Sequence, residues 1–451
     1  METPKQPVSF SEVMGRAPLR LFQIFTFIVC MIVLVADGVD AQLLGVVTPL
    51  ILKDYGVDRT SFGFAVGAAL FGFGVGSWSG GMLGDRIGRR WSLTLAAVVF
   101  SLGTVAASMS NTVMEMAVWR FIGGLGFGAA YAIAIALTGE WLPDRWRSVA
   151  VTTISVGTPL GGSIVGALAP TVVGLWGWRG AFMCFGAVTF VLCVTLIIVV
   201  LRDSPAFLLA RGRLAEAKQA ARRVVDEDLN LVPERHMTDT ATGSIGVLDR
   251  SNLRLNIGVG LAFTSATLVA YGILNWATTL LTSHGFAFDQ ASYTVFVAGI
   301  TSIAGSIAVG LLIQRYGSKK TMILVGATLL VNLVVLAALI ESTGSAPDAN
   351  QRILIMALVG LLAAIFSSGV GGMYAMLTHG YPPSCRSAGI GFGIFMGRVG
   401  AYISSTFGGA LLDMGKGSVI PYFGALSIGA VLLMVAMLIN DRHVPPAARK
   451  A

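Results

Sequence analysis

The chain has 451 residues, 55% of them hydrophobic and only 12% charged, with a mean hydropathy of +0.78, against about 25% charged residues in an ordinary globular protein. That excludes a water-soluble domain and points to an integral membrane protein. The net charge of +8 does not mark a nucleic-acid binder: 24 of the 31 Lys and Arg fall in the alternate loops that share a face with the termini, and five (Lys53, Arg59, Arg179, Arg352, Lys416) in the others, a positive-inside bias that puts both termini in the cytoplasm.

Residues 1–20 are polar throughout and lack a short apolar core followed by small residues, so they read as a cytoplasmic segment and not as a secretory signal. Twelve apolar blocks of about 20 residues or more then follow, each long enough to cross a hydrocarbon core as a helix. They lie near 21–51, 60–83, 91–110, 114–139, 148–174, 178–201, 254–281, 291–315, 320–341, 351–378, 386–412 and 419–440.

The first block, containing FIVCMIVLVADGVDAQLLGVV, carries two carboxylates, Asp37 and Asp40. A charge there costs roughly 2.5–3.5 kcal/mol on insertion scales, so two together require a reason. Three apart, they share a helix face, and Gly38 between them lets a backbone or ligand approach. Two readings stay open: a static ion-pair network that fixes packing, or a carboxylate that takes up and releases a proton as it gains and loses an arginine partner. Arg120 in the fourth block is at a depth to reach the pair. Gly-rich strings such as GGLGFGAAYA (123–132) lie inside spans with no preceding strand, so they read as close-packing surfaces and not phosphate loops.

Residues 202–253 form a long polar linker, with helical periodicity and mixed charge over 213–228 that predicts a short amphipathic helix at the inner surface. The linker divides the chain into bundles over 21–201 and 254–440, with a tail at 441–451. The halves repeat: Asp85, Arg86, Gly88 and Arg90 after the second block match Gln314, Arg315, Gly317 and Lys319 after the eighth at an offset of 229, and PDRWRS (143–148) matches PPSCRS (382–387) at an offset of 239. Duplicated bundles place a substrate site between them near mid-membrane.

In the second half, Arg398 lies about twelve residues into the eleventh block, roughly 18 Å deep at 1.5 Å per residue. Its planar fork suits a carboxylate, which makes it the first choice for anchoring an anionic substrate. Tyr131, Tyr271, Trp276, Phe366, Tyr374 and Phe395 also fall within spans, and Tyr271 and Trp276 are the chosen contacts for a ring. The four cysteines and four histidines show no metal-ligand spacing, so no metal site and no cofactor is expected.

GMLGDRIGRR after the second block, RFIGGLGFGAA in the fourth and the six-linker-six layout resemble the major facilitator superfamily over nearly the whole chain. DGVD, RDSPAFLLARGR and YPPSCRSAGIGFGIFMGRVGA are similar to its aromatic acid:proton symporters. The resemblance implies an all-α membrane fold of two six-helix bundles, and uptake of benzoate-like acids with protons across the bacterial inner membrane by a monomer driven by the proton gradient. It gives Asp37 and Asp40 the helix-one acidic motif, Arg120 the helix-four arginine and Arg398 and Arg386 the second-half arginine positions; Asp37, Asp40 and Arg120 are read as the proton-coupling residues. Gly81, Asp85, Arg86, Gly88 and Arg89 match the inner gate loop, joined by Glu140 and Arg147. Gln314 and Ser318 depart from that loop's pattern in the second copy. Sugar porters share the framework, but NDRHVPPAARKA lacks their acidic Pro-Glu-Thr tail element, and GTPLGG (157–162) is an imperfect antiporter signature. Another organic anion or sugar as cargo, or export of drugs or waste acids, stay as alternatives. A catalytic function is not expected, because no loop offers a nucleophile and base.

Overall fold

In the computed structural model the protein is a bundle of long helices; the structure describes residues 8–9, 18–143, 146, 150, 153–154, 156–224, 231–232, 247, 249–344, 347–381 and 385–446, and within these it leaves the side chains of residues 8, 9, 85, 206, 210, 231, 232, 378 and 386–388 undescribed. The helices are α1 (Leu21–Tyr55), α2 (Arg59–Ile87), α3 (Arg89–Ala107), α4 (Val113–Trp141), α5 (Gly157–Val200), the short α6 (Pro205–Ala210) and α7 (Leu214–Ala221), then α8 (Leu253–Ser283), α9 (Phe288–Tyr316), α10 (Ser318–Thr343), α11 (Ala349–Gly380), α12 (Arg386–Met414) and α13 (Ile420–Ile439). Two dipeptides, Val8–Ser9 and Leu231–Val232, pair as a minimal parallel ladder.

Among the described residues, ten helices are long and apolar enough to span a membrane. The 44-residue α5 contains two of the predicted blocks, because Gly177 at φ 68° breaks its helical path. With α12, 29 residues long, this accounts for the twelve blocks of the sequence. Helix starts follow local chemistry: Thr112 accepts from the Glu115 N–H and Asp348 from the Gln351 N–H, each satisfying a donor that has no intrahelical acceptor. Large side chains such as Trp78, Val191, Val331 and Leu361 point outward, where hydrocarbon is their solvent.

Packing repeats between the halves. α1 packs on α5 as α8 does on α12, α2 on α4 as α9 on α11, and α3 on both α4 and α5 as α10 on both α11 and α13. The short turns match too: Gly88 between α2 and α3 (φ 97°, ψ 153°) and Gly317 between α9 and α10 (φ 80°, ψ 160°) adopt one conformation, at positive φ where glycine is unstrained. The small-residue strings serve helix contact. A Cβ at Gly72, Gly76 or Gly128 would stand 2.0–2.3 Å from a backbone carbonyl oxygen of the facing helix in the α2–α4 pair.

Hydrogen bonds cross between the halves on the side away from the termini: Gln42 Nε2 to the Leu274 carbonyl (2.6 Å), Ser292 Oγ to the Gly166 carbonyl (3.1 Å), and Thr60 to Asp413. Within the predicted 213–228 helix of the linker, the described residues form a helix over Leu214–Ala221, and Ala217, Ala220 and Ala221 are buried with Leu208 and Leu209 against the first half, so its apolar face docks on protein; residues 225–228 lie outside the described residues.

Candidate functional site

The buried charges separate into two groups. Asp40, 4% exposed, is held by Arg120, 3% exposed: Nη1 donates to both carboxylate oxygens at 2.7 Å, and Nη2 to the Asp40 carbonyl at 3.3 Å. Thr104 Oγ1 donates to Oδ1 at 2.6 Å. The pair joins α1, α3 and α4, and Arg120 Nε is left without a partner among the described residues. Such a pair is held by its geometry, since each charge alone would be strongly destabilising here.

Asp37 belongs to the other group. Among the described residues its one hydrogen bond comes from Thr158 Oγ1 at 3.2 Å; Arg398 lies within electrostatic reach from the other half, and Asp40 and Arg120 from its own. Gly38 accommodates a backbone: its Cβ would lie 2.0 Å from the Thr158 carbonyl oxygen, so α5 presses on α1 beside the carboxylate. A narrow cavity lies between the groups, lined by Asp37, Asp40, Leu44, Phe73, Arg120 and Asn275.

Arg398 is not itself in the lining of this cavity but contacts two residues that are, Phe73 and Tyr271. Its guanidinium lies 3.7 Å from the centroid of Phe73, a cation–π contact from one half to the other, and Nη1 donates to the Tyr271 hydroxyl at 2.9 Å. The Tyr131 ring, next to Phe73, lies 6.0 Å from the same guanidinium, and the Tyr131 and Tyr374 hydroxyls face each other across the halves. No carboxylate among the described residues lies within salt-bridge distance of Arg398. The result is a cation flanked by aromatic faces, with its remaining N–H donors available, an arrangement that can take an anion attached to a flat ring.

Placement of the other predicted site residues varies. Tyr271 lines the cavity and meets Arg398. Trp276 does not: it is fully buried, donates Nε1–H to the Ser405 carbonyl at 3.0 Å and fills the hollow beside Gly408 and Gly409, so it is a packing residue of the α8–α12 contact. In the gate loop Arg89 Nε meets Glu140 Oε1 at 3.0 Å, Arg86 offers its carbonyl to Arg211, and open space surrounds Gly81. At Gly88 a Cβ would meet the carboxylate of Asp203, which accepts from the Arg90 N–H at 3.0 Å and caps α3. Arg147 and the side chains of Asp85 and Arg386 lie outside the described residues.

Phe73, Thr104, Thr158 and Asp203 were not singled out from sequence. Asp203 sits in RDSP, which marks the end of a span but not its partner. The threonines carry no distinguishing signal: Thr104 also bonds the carbonyl four residues back at 2.9 Å, as Thr94 and Thr138 do, and only the fold shows which hydroxyl also meets a carboxylate.

Known proteins agree with this architecture. The 4-hydroxybenzoate transporter PcaK of Pseudomonas aeruginosa is 27% identical over 429 residues, covering 92% of this chain and 93% of its own. The benzoate transport protein of Acinetobacter baylyi is 27% identical over 461 residues (97% and 94%), and the gallate transporter of Pseudomonas putida 27% over 443 (96% and 95%). Among solved structures, a D-xylose-proton symporter superposes with a TM-score of 0.71 at 19% identity, covering 95% of this chain and 99% of its own. The Major Facilitator Superfamily profile matches residues 30–331 and 255–451. With spans, repeat packing and profile in agreement, the chain belongs to the Major Facilitator Superfamily and is a multi-pass membrane transporter, not an enzyme.

Proposed function

We propose that this transporter imports a monocyclic aromatic carboxylate of the benzoate, hydroxybenzoate or protocatechuate class together with protons across the bacterial inner membrane. Both termini face the cytoplasm, and the two bundles, 21–201 and 254–440, rock against each other. The observation that carries the reading is Arg398, a mid-membrane guanidinium on the face of Phe73 and bonded to Tyr271, with no carboxylate in salt-bridge distance among the described residues. A ring acid meets both needs of that site, charge and aromatic surface. Relatives at 27% identity named as 4-hydroxybenzoate, benzoate and gallate transporters support the substrate class.

The roles divide as the geometry does. Asp37, with one hydroxyl donor and Arg398 in reach, carries the proton: ionised, it competes with the substrate for Arg398, and protonated, it releases the guanidinium. Asp40 and Arg120 hold the cavity wall. Arg89 and Glu140 tie the gate loop to α4 at the cytoplasmic end. The closed seam away from the termini corresponds to a cytoplasm-facing state.

The deciding experiment is uptake of a labelled panel (benzoate, 4-hydroxybenzoate, protocatechuate, gentisate, vanillate, muconate and glucose) into proteoliposomes with and without an inside-alkaline gradient. Gradient-dependent accumulation of a ring acid is expected; glucose uptake, or outward flux only, would refute the reading. Arg398→Lys keeps the charge but loses the fork and the flat stack on Phe73. Its uptake is expected to fall about tenfold or more, the scale of a lost charge-assisted hydrogen bond; wild-type uptake by that variant would remove Arg398 from the carboxylate site.

A further inference from the structure

The end of α12 and the start of α2 meet on the face away from the termini. There Asp413 Oδ2 accepts from the Thr60 N–H at 3.0 Å and from the Thr60 hydroxyl at 2.8 Å, and Oδ1 lies 3.9 Å from Arg59 Nη1. The first-turn N–H groups of α2 have no intrahelical acceptor, and the helix dipole favours a negative charge beside them. Asp58, the helix's own cap, serves the Ser61 N–H at 3.3 Å. Two carboxylates thus divide one turn, and the one from the other half takes the Thr60 donors.

Below this contact the helices touch closely. A Cβ at Gly63 would stand 2.0 Å from the Thr406 carbonyl oxygen, one at Gly67 2.1 Å from Thr406 Oγ1, and one at Gly409 2.3 Å from the Arg59 carbonyl oxygen. The same seam runs inward to the Phe73–Arg398 contact, thirteen residues along α2 and fifteen along α12, or roughly 20 Å. Above it opens a polar cleft whose walls include Lys53, Thr279, Thr282 and Lys416. Access to Arg398 from that cleft is therefore closed by the α2–α12 seam, and its outermost polar tie is Asp413 on Thr60 and Arg59.

We propose that Asp413, Thr60 and Arg59 form the outer gate of the transport cycle, a latch between the halves that must part before substrate enters. It rests on the alternating-access reading but not on the identity of the substrate. Asp413 and Thr60 act as positioning residues: they touch no cargo and set which face is open. The tie is polar and exposed at its edge, so water can replace it when the halves part, whereas an apolar seal at that point would add to the cost of opening.

The test measures access without any substrate. Val66, on α2 and lining the cavity, is replaced by cysteine, and alkylation by a membrane-impermeant maleimide is timed in right-side-out vesicles. Asp413→Ala and Thr60→Val are each expected to speed alkylation from outside about tenfold, the scale of a charge-assisted hydrogen bond lost. The buried native thiols Cys30, Cys193 and Cys385 should stay unlabelled, which separates opening from unfolding. An unchanged rate in both variants overturns the latch. A second arm does not depend on those variants: Thr60→Cys combined with Asp413→Cys, once oxidised to a disulfide, should stop uptake, and reduction should restore it. Full uptake by the cross-linked protein would show that this seam never opens. If no acid of the panel accumulates, the alkylation rates still decide the gate.

Discussion

Replacing Asp40 by asparagine is expected to destabilise the purified protein far more than its small change in shape suggests. The substitution leaves Arg120 buried at 3% exposure, with its carboxylate partner gone and Thr104 donating to an amide. Breaking a buried pair by removing one partner costs about 3–5 kcal/mol, which should appear as a large fall in melting temperature in detergent and as low yield. Arg120→Met should cost a similar amount, because it strands the Asp40 charge. The double variant Asp40→Asn, Arg120→Met removes both charges and should recover most of the lost stability, with a coupling energy that a double-mutant cycle reads directly. A double variant as unstable as the sum of the singles would mean that the two residues act separately. This result also tests the division of labour: a stabilising pair gives a large coupling energy, whereas two independent ligands of a substrate would not.

How much of this was legible from sequence depends on whether the signal was local. The twelve apolar blocks, the linker and the repeat offset were readable because span length, charge asymmetry and motif spacing are properties of contiguous residues. Asp37, Asp40, Arg120 and Arg398 stood out because charge in hydrocarbon needs a reason wherever it occurs. That Arg120 could reach the helix-one carboxylates was readable from its depth, but which of the two it takes was not. Both carboxylates share a face of α1, and nothing in DGVD tells that α4 brings Arg120 to Asp40 while α5 and α12 bring Thr158 and Arg398 to Asp37. Trp276 shows the converse. An aromatic in a polar-flanked span looks like a ring contact, yet its indole fills the hollow at Gly408 and Gly409, and only the facing helix reveals that. Asp413 falls one residue beyond the predicted 386–412 block, and its role at Thr60 depends on a contact 353 residues away in the chain.

Asp37→Asn is expected to abolish gradient-driven accumulation while leaving exchange of labelled for unlabelled substrate across the membrane in place. An asparagine resembles the protonated acid in shape and neutrality but can neither release nor accept the proton, so the variant can still move between faces loaded and cannot be driven by pH. The electrostatics give the sign for binding. In the wild type, rising pH ionises Asp37, which then competes for Arg398 and repels the incoming carboxylate, so affinity should weaken as pH rises. In Asp37→Asn that competition is absent at every pH, and affinity should stay near its low-pH value. By reciprocity, if protonation of Asp37 strengthens substrate binding, bound substrate must strengthen proton binding by the same factor, and this is what lets one gradient drive the other cargo. The geometry favours Asp37 for this task because its hydroxyl contact at 3.2 Å leaves it free to change partners, whereas the Asp40 carboxylate is held by both Arg120 and Thr104. Measured together, substrate affinity against pH and accumulation against gradient discriminate sharply. A variant that loses accumulation but keeps the wild-type pH dependence of binding would show that the titrating group lies elsewhere, and undiminished accumulation would remove Asp37 from the coupling altogether.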